Sequence, residues 1–211
     1  MKIIIILVVA LSLSNINAQI RWQNLVPVEE ADPLAPALKK WKQSVAARYQ
    51  QGGIIVPIFK SQHELPFKSL KLLFPNHRFF TISWSETPAK GKEKDAIGLA
   101  LDLGVTLVCN DQGKIIKEVS HSGNYEAFGE LLSSMKVAIR NNEDARIVWQ
   151  GFCDLHQKHW KDQRIERKSD RVWHLGVTTI DDFHYYYQIN VDESGNVVSG
   201  KLHANKIKQK S

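Results

Sequence analysis

Between residues 97 and 109 the chain alternates without a miss: Ile97, Leu99, Leu101, Leu103, Val105, Leu107 and Cys109 are separated by smaller or polar residues. A period of two predicts a β-strand, and so long a run predicts a bend or break near Gly104. Asn110-Asp111-Gln112-Gly113 then turns the chain into a second strand over 114–120. Upstream, Leu34, Leu38, Trp41, Val45 and Tyr49 repeat at helical spacing. Asp32-Pro33 opens that helix and Gly52-Gly53 stops it. The segment 54–58 reads as a strand that Pro57 confines to a sheet edge. A short helix is expected within 61–73, a strand over 78–85 and a loop over 88–94. A further helix over 124–135 gathers Phe128, Leu131, Leu132 and Met135 on one face.

The last third has the fullest pattern. Asn141 or Asn142 caps a helix whose first turn holds Glu143 and Asp144, where the helix dipole favours negative charge. Ala145, Val148, Trp149, Phe152 and Trp160 form its apolar stripe, with Leu155 at the edge and Asp154 outside it. His156 and His159 fall within the apolar stripe. Three antiparallel strands follow, over 171–180, 183–191 and 196–204, joined by Asp181-Asp182 and by Asp192-Glu193-Ser194-Gly195. Those turn lengths predict an inner face of Val172, His174, Gly176, Thr178 and Ile180 beside Tyr185, Tyr187 and Ile189, continued by Val198, Gly200 and Leu202. Both glycines would make room for Tyr187. The opposite face would carry Trp173, Leu175, Val177, Tyr186 and Val197, with His184 opposite His203. That face is either covered by the first half of the chain or a docking surface.

The whole is an α+β chain with helices packed on antiparallel sheet. The segments VCNDQGKIIKEVSHS and INVDESGNVVSGKLHA share a strand, a polar turn ending in glycine and a second strand. The order helix–strand–strand–strand therefore occurs twice, which fits two tandem αβββ units or two hairpins of a common type. The division is 1–18, 19–122 and 123–211.

On that topology the C-terminal third resembles the αβββ layout of cystatin-like, NTF2-like and PepSY-type domains. Residues 107–135 resemble the closing strand–strand–helix of thioredoxin-like proteins, without their CxxC or their proline, so no redox function is implied. The stretches FFTISWSETP, GNYEAFGELL and WHLGVTTIDDFHYYYQI resemble small uncharacterised exported proteins of planctomycete-type bacteria. This last resemblance implies export and an α+β fold, and no activity.

Composition adds a destination. Met1-Lys2, a short apolar run and a polar stretch ending at Ala18 read as a secretory signal peptide. The run is too short to span a bilayer, so no stable membrane span is expected after cleavage. Loss of Lys2 leaves 27 Lys and Arg against 22 acids, a net charge of +5. The surplus gathers at Lys201, Lys206, Lys208 and Lys210, a solvated tail or a contact for an acidic partner. Export to the periplasm or beyond makes nucleic acid an unexpected ligand. Cys109 and Cys153 would meet an oxidising compartment, as a bridge or as two buried thiols.

The chemistry rests on histidines. The chain has no Gly-rich phosphate loop, no GxSxG and no HExxH. His156 and His159, one turn apart, would face the sheet layer into which His174 points. Three imidazoles there could hold zinc or a similar ion with an open position, or line an acid/base pocket. The alternative is packed rings, each with one hydrogen bond. His184 and His203 form a weaker pair. The sequence favours an exported, non-catalytic module that binds a protein, peptide or envelope component. A small-pocket metal binder or enzyme using His156, His159 and His174 is the alternative.

Overall fold

The computed structural model describes residues 26–53, 55–92, 102–121, 125–156, 164–180 and 183–206. Residues 1–25, residues 97–101, Trp160, His159, the Asp181-Asp182 turn and the final two lysines lie outside them. The fold is α+β, with four helices and two antiparallel sheets among the described residues.

Helix α1, Ala35–Gly52, starts two residues later than Asp32-Pro33 predicts, with Leu34 at its N-cap, and stops at its glycines as expected. The Leu34 amide donates to Asp32 Oδ1, and Gly53, at φ +69°, donates back to the Tyr49 carbonyl. The first sheet runs β1 (Val26–Pro27), β2 (Ile55–Glu64), β3 (His77–Pro88), β4 (Asp102–Asn110) and β5 (Ile115–Ser120), each pairing with the next. Strand β2 is longer than expected and takes Ser61–Glu64 from the anticipated helix. That helix shrinks to α2, Lys68–Leu73. Strand β4 runs through Gly104 and pairs with β3 without a break.

Both faces of this sheet are buried. Phe80, Ile82, Trp84, Val105, Leu107 and Cys109 pack against Leu34, Leu38, Trp41 and Val45 of the α1 side. Phe79, Val108 and Val119 turn the other way, into a larger core shared with α2, α3 (Glu126–Ser134) and α4 (Asn142–Leu155). Cys109 and Cys153 are buried in different cores and are not joined by a disulfide. Burial pushes the Cys109 thiol up to about 11.

Helix α4 is capped as expected: the Asn141 side chain accepts from the Glu143 and Asp144 amides. Asp154, expected on the solvent side, is buried instead. Ser69 donates to one of its oxygens and Gln150 Nε2 to the other at 2.9 Å, tying α2 to α4. At the end of α4, Thr106 Oγ1 donates to the Leu155 carbonyl at 2.9 Å and also meets His121 Nε2 at 3.0 Å. A terminal helix carbonyl that the helix cannot satisfy is thereby satisfied by the sheet.

The second sheet has four strands: β6 (Arg164–Ser169), β7 (Val172–Ile180), β8 (Phe183–Val191) and β9 (Val197–Lys206). Strand β6 adds a charged edge to the expected three-stranded meander. Each half of the chain thus has a helix followed by a four-stranded meander. One core, lying between the two sheets, draws residues from both halves.

Two bulges correct the expected faces. Thr178 faces Tyr185 as the turn predicts, but Leu175 then faces Tyr187, so β7 carries one extra residue at Gly176-Val177. Gly176 has φ +61°, a conformation that suits glycine in such a bulge. The slip reverses the strand: Trp173, Leu175 and Val177 enter the core and His174 leaves it. A second bulge between Val197 and Ser199 buries Val197 and exposes Val198. Together with a turn one residue longer than expected, it sets Tyr186, rather than His184, opposite His203.

Candidate functional site: the outer face of the C-terminal sheet

Once β7 is reversed, the inner face of the second sheet is sealed. Trp173, Leu175, Tyr187, Ile189, Val191 and Val197 are all buried against the helices. Tyr187 donates to the Tyr125 carbonyl at 3.0 Å. Gly200 leaves room for its ring, since a Cβ there would meet the phenol oxygen at 2.5 Å. Gly176 makes room for Trp149 rather than for Tyr187.

The outer face carries half-buried and exposed side chains. A row of rings crosses it from strand to strand. His174 of β7 stacks on Tyr186 of β8, with centroids 4.0 Å apart and planes at 19°. Tyr186 stacks in turn on His203 of β9, at 5.1 Å and 10°. His184 leans on the same tyrosine at 5.8 Å, and Asn205 Nδ2 donates to its hydroxyl at 3.0 Å. The rings are held by pleat geometry: all four lie on one side of adjacent strands, at positions the register sets opposite or diagonal.

Beside the row lies a polar network. Gln188 Nε2 donates to Asn190 Oδ1 at 3.1 Å, and Asn190 Nδ2 donates to Ser199 Oγ at 2.8 Å. The charges at its margins pair: Lys168 with Glu166, and Lys201 with Glu126 of α3. An open groove of about 660 Å³ runs between this network and α3, bordered by Glu130, Ser133, Lys201 and His203. The sequence reading missed the α3 wall, because nothing local connects residues 126–134 to β9. Gly129 and Gly200 are the one signal, for a Cβ on Gly129 would meet the Gly200 amide nitrogen at 2.4 Å.

Burial, then the Lys168 ammonium, hold the His174 pKa below the usual imidazole value, against a hydrogen bond donated to Gln188 and the charge of Glu166.

The anticipated three-histidine layer does not assemble as expected. His156 is buried on the inner side of the sheet, 4.6 Å from the Phe152 ring and 5.0 Å from that of Tyr125. Its Nδ1 lies 3.2 Å from the Ser120 carbonyl. His174 projects from the opposite side of the same sheet, and the reason is the Gly176 bulge. His159 lies outside the described residues. Among the described residues, no three His, Cys, Asp or Glu side chains are grouped to hold a metal ion. No helix among them is long and apolar enough to cross a membrane.

The fold and this face together define an α+β chain of two sheets with helices between and outside them. No protein-family model matches it, and neither does any curated protein or solved structure.

Proposed function

We propose that this chain is an exported, non-catalytic binding module whose C-terminal sheet takes a neutral, hydroxyl-rich polymer of the cell envelope. The observation that carries the reading is the outward row His174–Tyr186–His203 beside the Gln188–Asn190–Ser199 network. Amides, imidazoles and hydroxyls each offer both donors and acceptors, as a sugar hydroxyl requires. The flanking charges pair with one another, so a strongly anionic polymer gains little there. The leader-like N-terminus supports export. His156, set in an aromatic core, supports a structural rather than a chemical role for that histidine.

The test is co-sedimentation with purified, protein-free cell-wall glycan. The protein should pellet with the glycan, and a Tyr186→Ala/His203→Ala variant of unchanged melting temperature should stay in the supernatant. Equal pelleting by both, or pelleting only with a peptide-bearing wall preparation, would contradict the reading.

A further inference from the structure

A separate recess of about 450 Å³ opens on the other side of the molecule, between α1 and the five-stranded sheet. Trp41, Val45, Arg48 and Tyr49 line it at helical spacing from one face of α1, and Trp84 lines it from β3. Its wall belongs to a cluster of rings in edge-to-face contact. Trp41 and Trp84 lie 6.1 Å apart at 65°, and Phe59 lies 6.5 Å from one and 6.0 Å from the other. A further flat ring entering the recess would extend that arrangement.

The donors in this wall are unequally used. Trp84 Nε1 donates to the Tyr49 hydroxyl at 3.3 Å, which donates in turn to Glu86 Oε1. Trp41 is 7% exposed, and its buried Nε1 has no hydrogen-bond partner among the described residues. Arg48 is exposed on the same helix face, one turn from Val45. Glu118, exposed across the recess, disfavours a second negative charge on whatever enters.

We propose that this recess binds a small aromatic monocarboxylate, its ring against Trp41 and Trp84 and its carboxylate paired with Arg48. The site is independent of the outer sheet face, and neither reading rests on the other.

The protein is titrated with indole-3-propionate, its neutral amide and tryptamine, by calorimetry and by following the indole N–H resonances. The acid should bind about tenfold more tightly than the amide and shift the Trp41 N–H resonance. Arg48→Gln, at an exposed position, should erase the preference for acid over amide without lowering the melting temperature. Trp41→Phe, which leaves a smaller ring in the wall, should weaken the acid and the amide alike. The proposal is overturned by no saturable binding up to about 10 mM, by an amide or amine that binds as well as the acid, or by an unmoved Trp41 resonance. A preference that survives Arg48→Gln overturns it equally.

Discussion

A Cβ at position 176 would sit 2.0 Å from Cζ2 of Trp149, so the indole of α4 occupies the space that any side chain at Gly176 would need. The same residue has φ +61°. One glycine therefore admits the tryptophan, forms the bulge and decides which face of β7 looks outward. Gly176→Ala should destabilise the fold by about 3 kcal/mol or more, combining a left-handed backbone with overpacking. Urea unfolding of the variant checks this.

His156 is part of the core that Trp149 enters. Its ring lies within 4.6–6.4 Å of Phe152, Tyr125 and Phe128. His156→Ala should cost about 2–4 kcal/mol through the cavity it leaves, while glycan binding per folded molecule stays unchanged. Denaturant unfolding and co-sedimentation of the same sample check both halves of this expectation.

Arg78 bridges two carboxylates, Asp32 and Glu64, each at 2.7 Å, and so fastens the start of α1 to strands β2 and β3 of the first sheet. The hydrogen bond from Arg78 is the main reason that the Asp32 pKa lies below its ordinary value. The folded state therefore binds the Asp32 proton less readily than the unfolded chain does. The resulting stabilisation is complete above pH about 4 and is lost as the pH falls through the depressed pKa. Arg78→Gln should lower stability at neutral pH and flatten its dependence on pH below about 4. Unfolding free energies from pH 7 down to acid, for both proteins, are the measurement.

His174 is also held below its ordinary pKa, here first by burial. The neutral ring is the form the fold prefers, so its contribution is present above about pH 6.5 and fades as the pH falls through the depressed value. Lys168, Glu166, Gln188 and His203 surround it. In a pH titration followed by NMR, the His174 ring should titrate below a free imidazole, and Tyr186 resonances should move with it. A His174→Phe variant should lose less stability than the parent between pH 7 and 5.

The helices and most strands were legible because each obeys one local period and is bounded by local signals: Asp32-Pro33 and Gly53 for α1, Asn141 for α4, and alternation for β4. The faces of β7 were not. Pattern and turn length fix the register only while the period of two continues, and a bulge shifts every later residue to the other side. The bulge at Gly176 is set by Trp149, distant in sequence, so no local signal announces it. Strand β6 was illegible for another reason: RIERKS is a charged edge with little alternation. The aromatic row could be glimpsed in FHYYYQ and in the separate histidines, but its composition depended on the face of His174. Tyr186, His184 and His203 were placed outward correctly. His174 was not.

The central claim is that the His174–Tyr186–His203 face is where the partner sits. The most direct measurement is an amide and imidazole chemical-shift map of the protein titrated with soluble, uncharged cell-wall glycan fragments. Saturable shifts are expected, confined to Tyr186, Gln188, Asn190, Lys201, His174 and His203, with the His156 and Trp149 signals still. Shifts centred on the α1 recess or on the inner core, or none at saturating glycan, would contradict it.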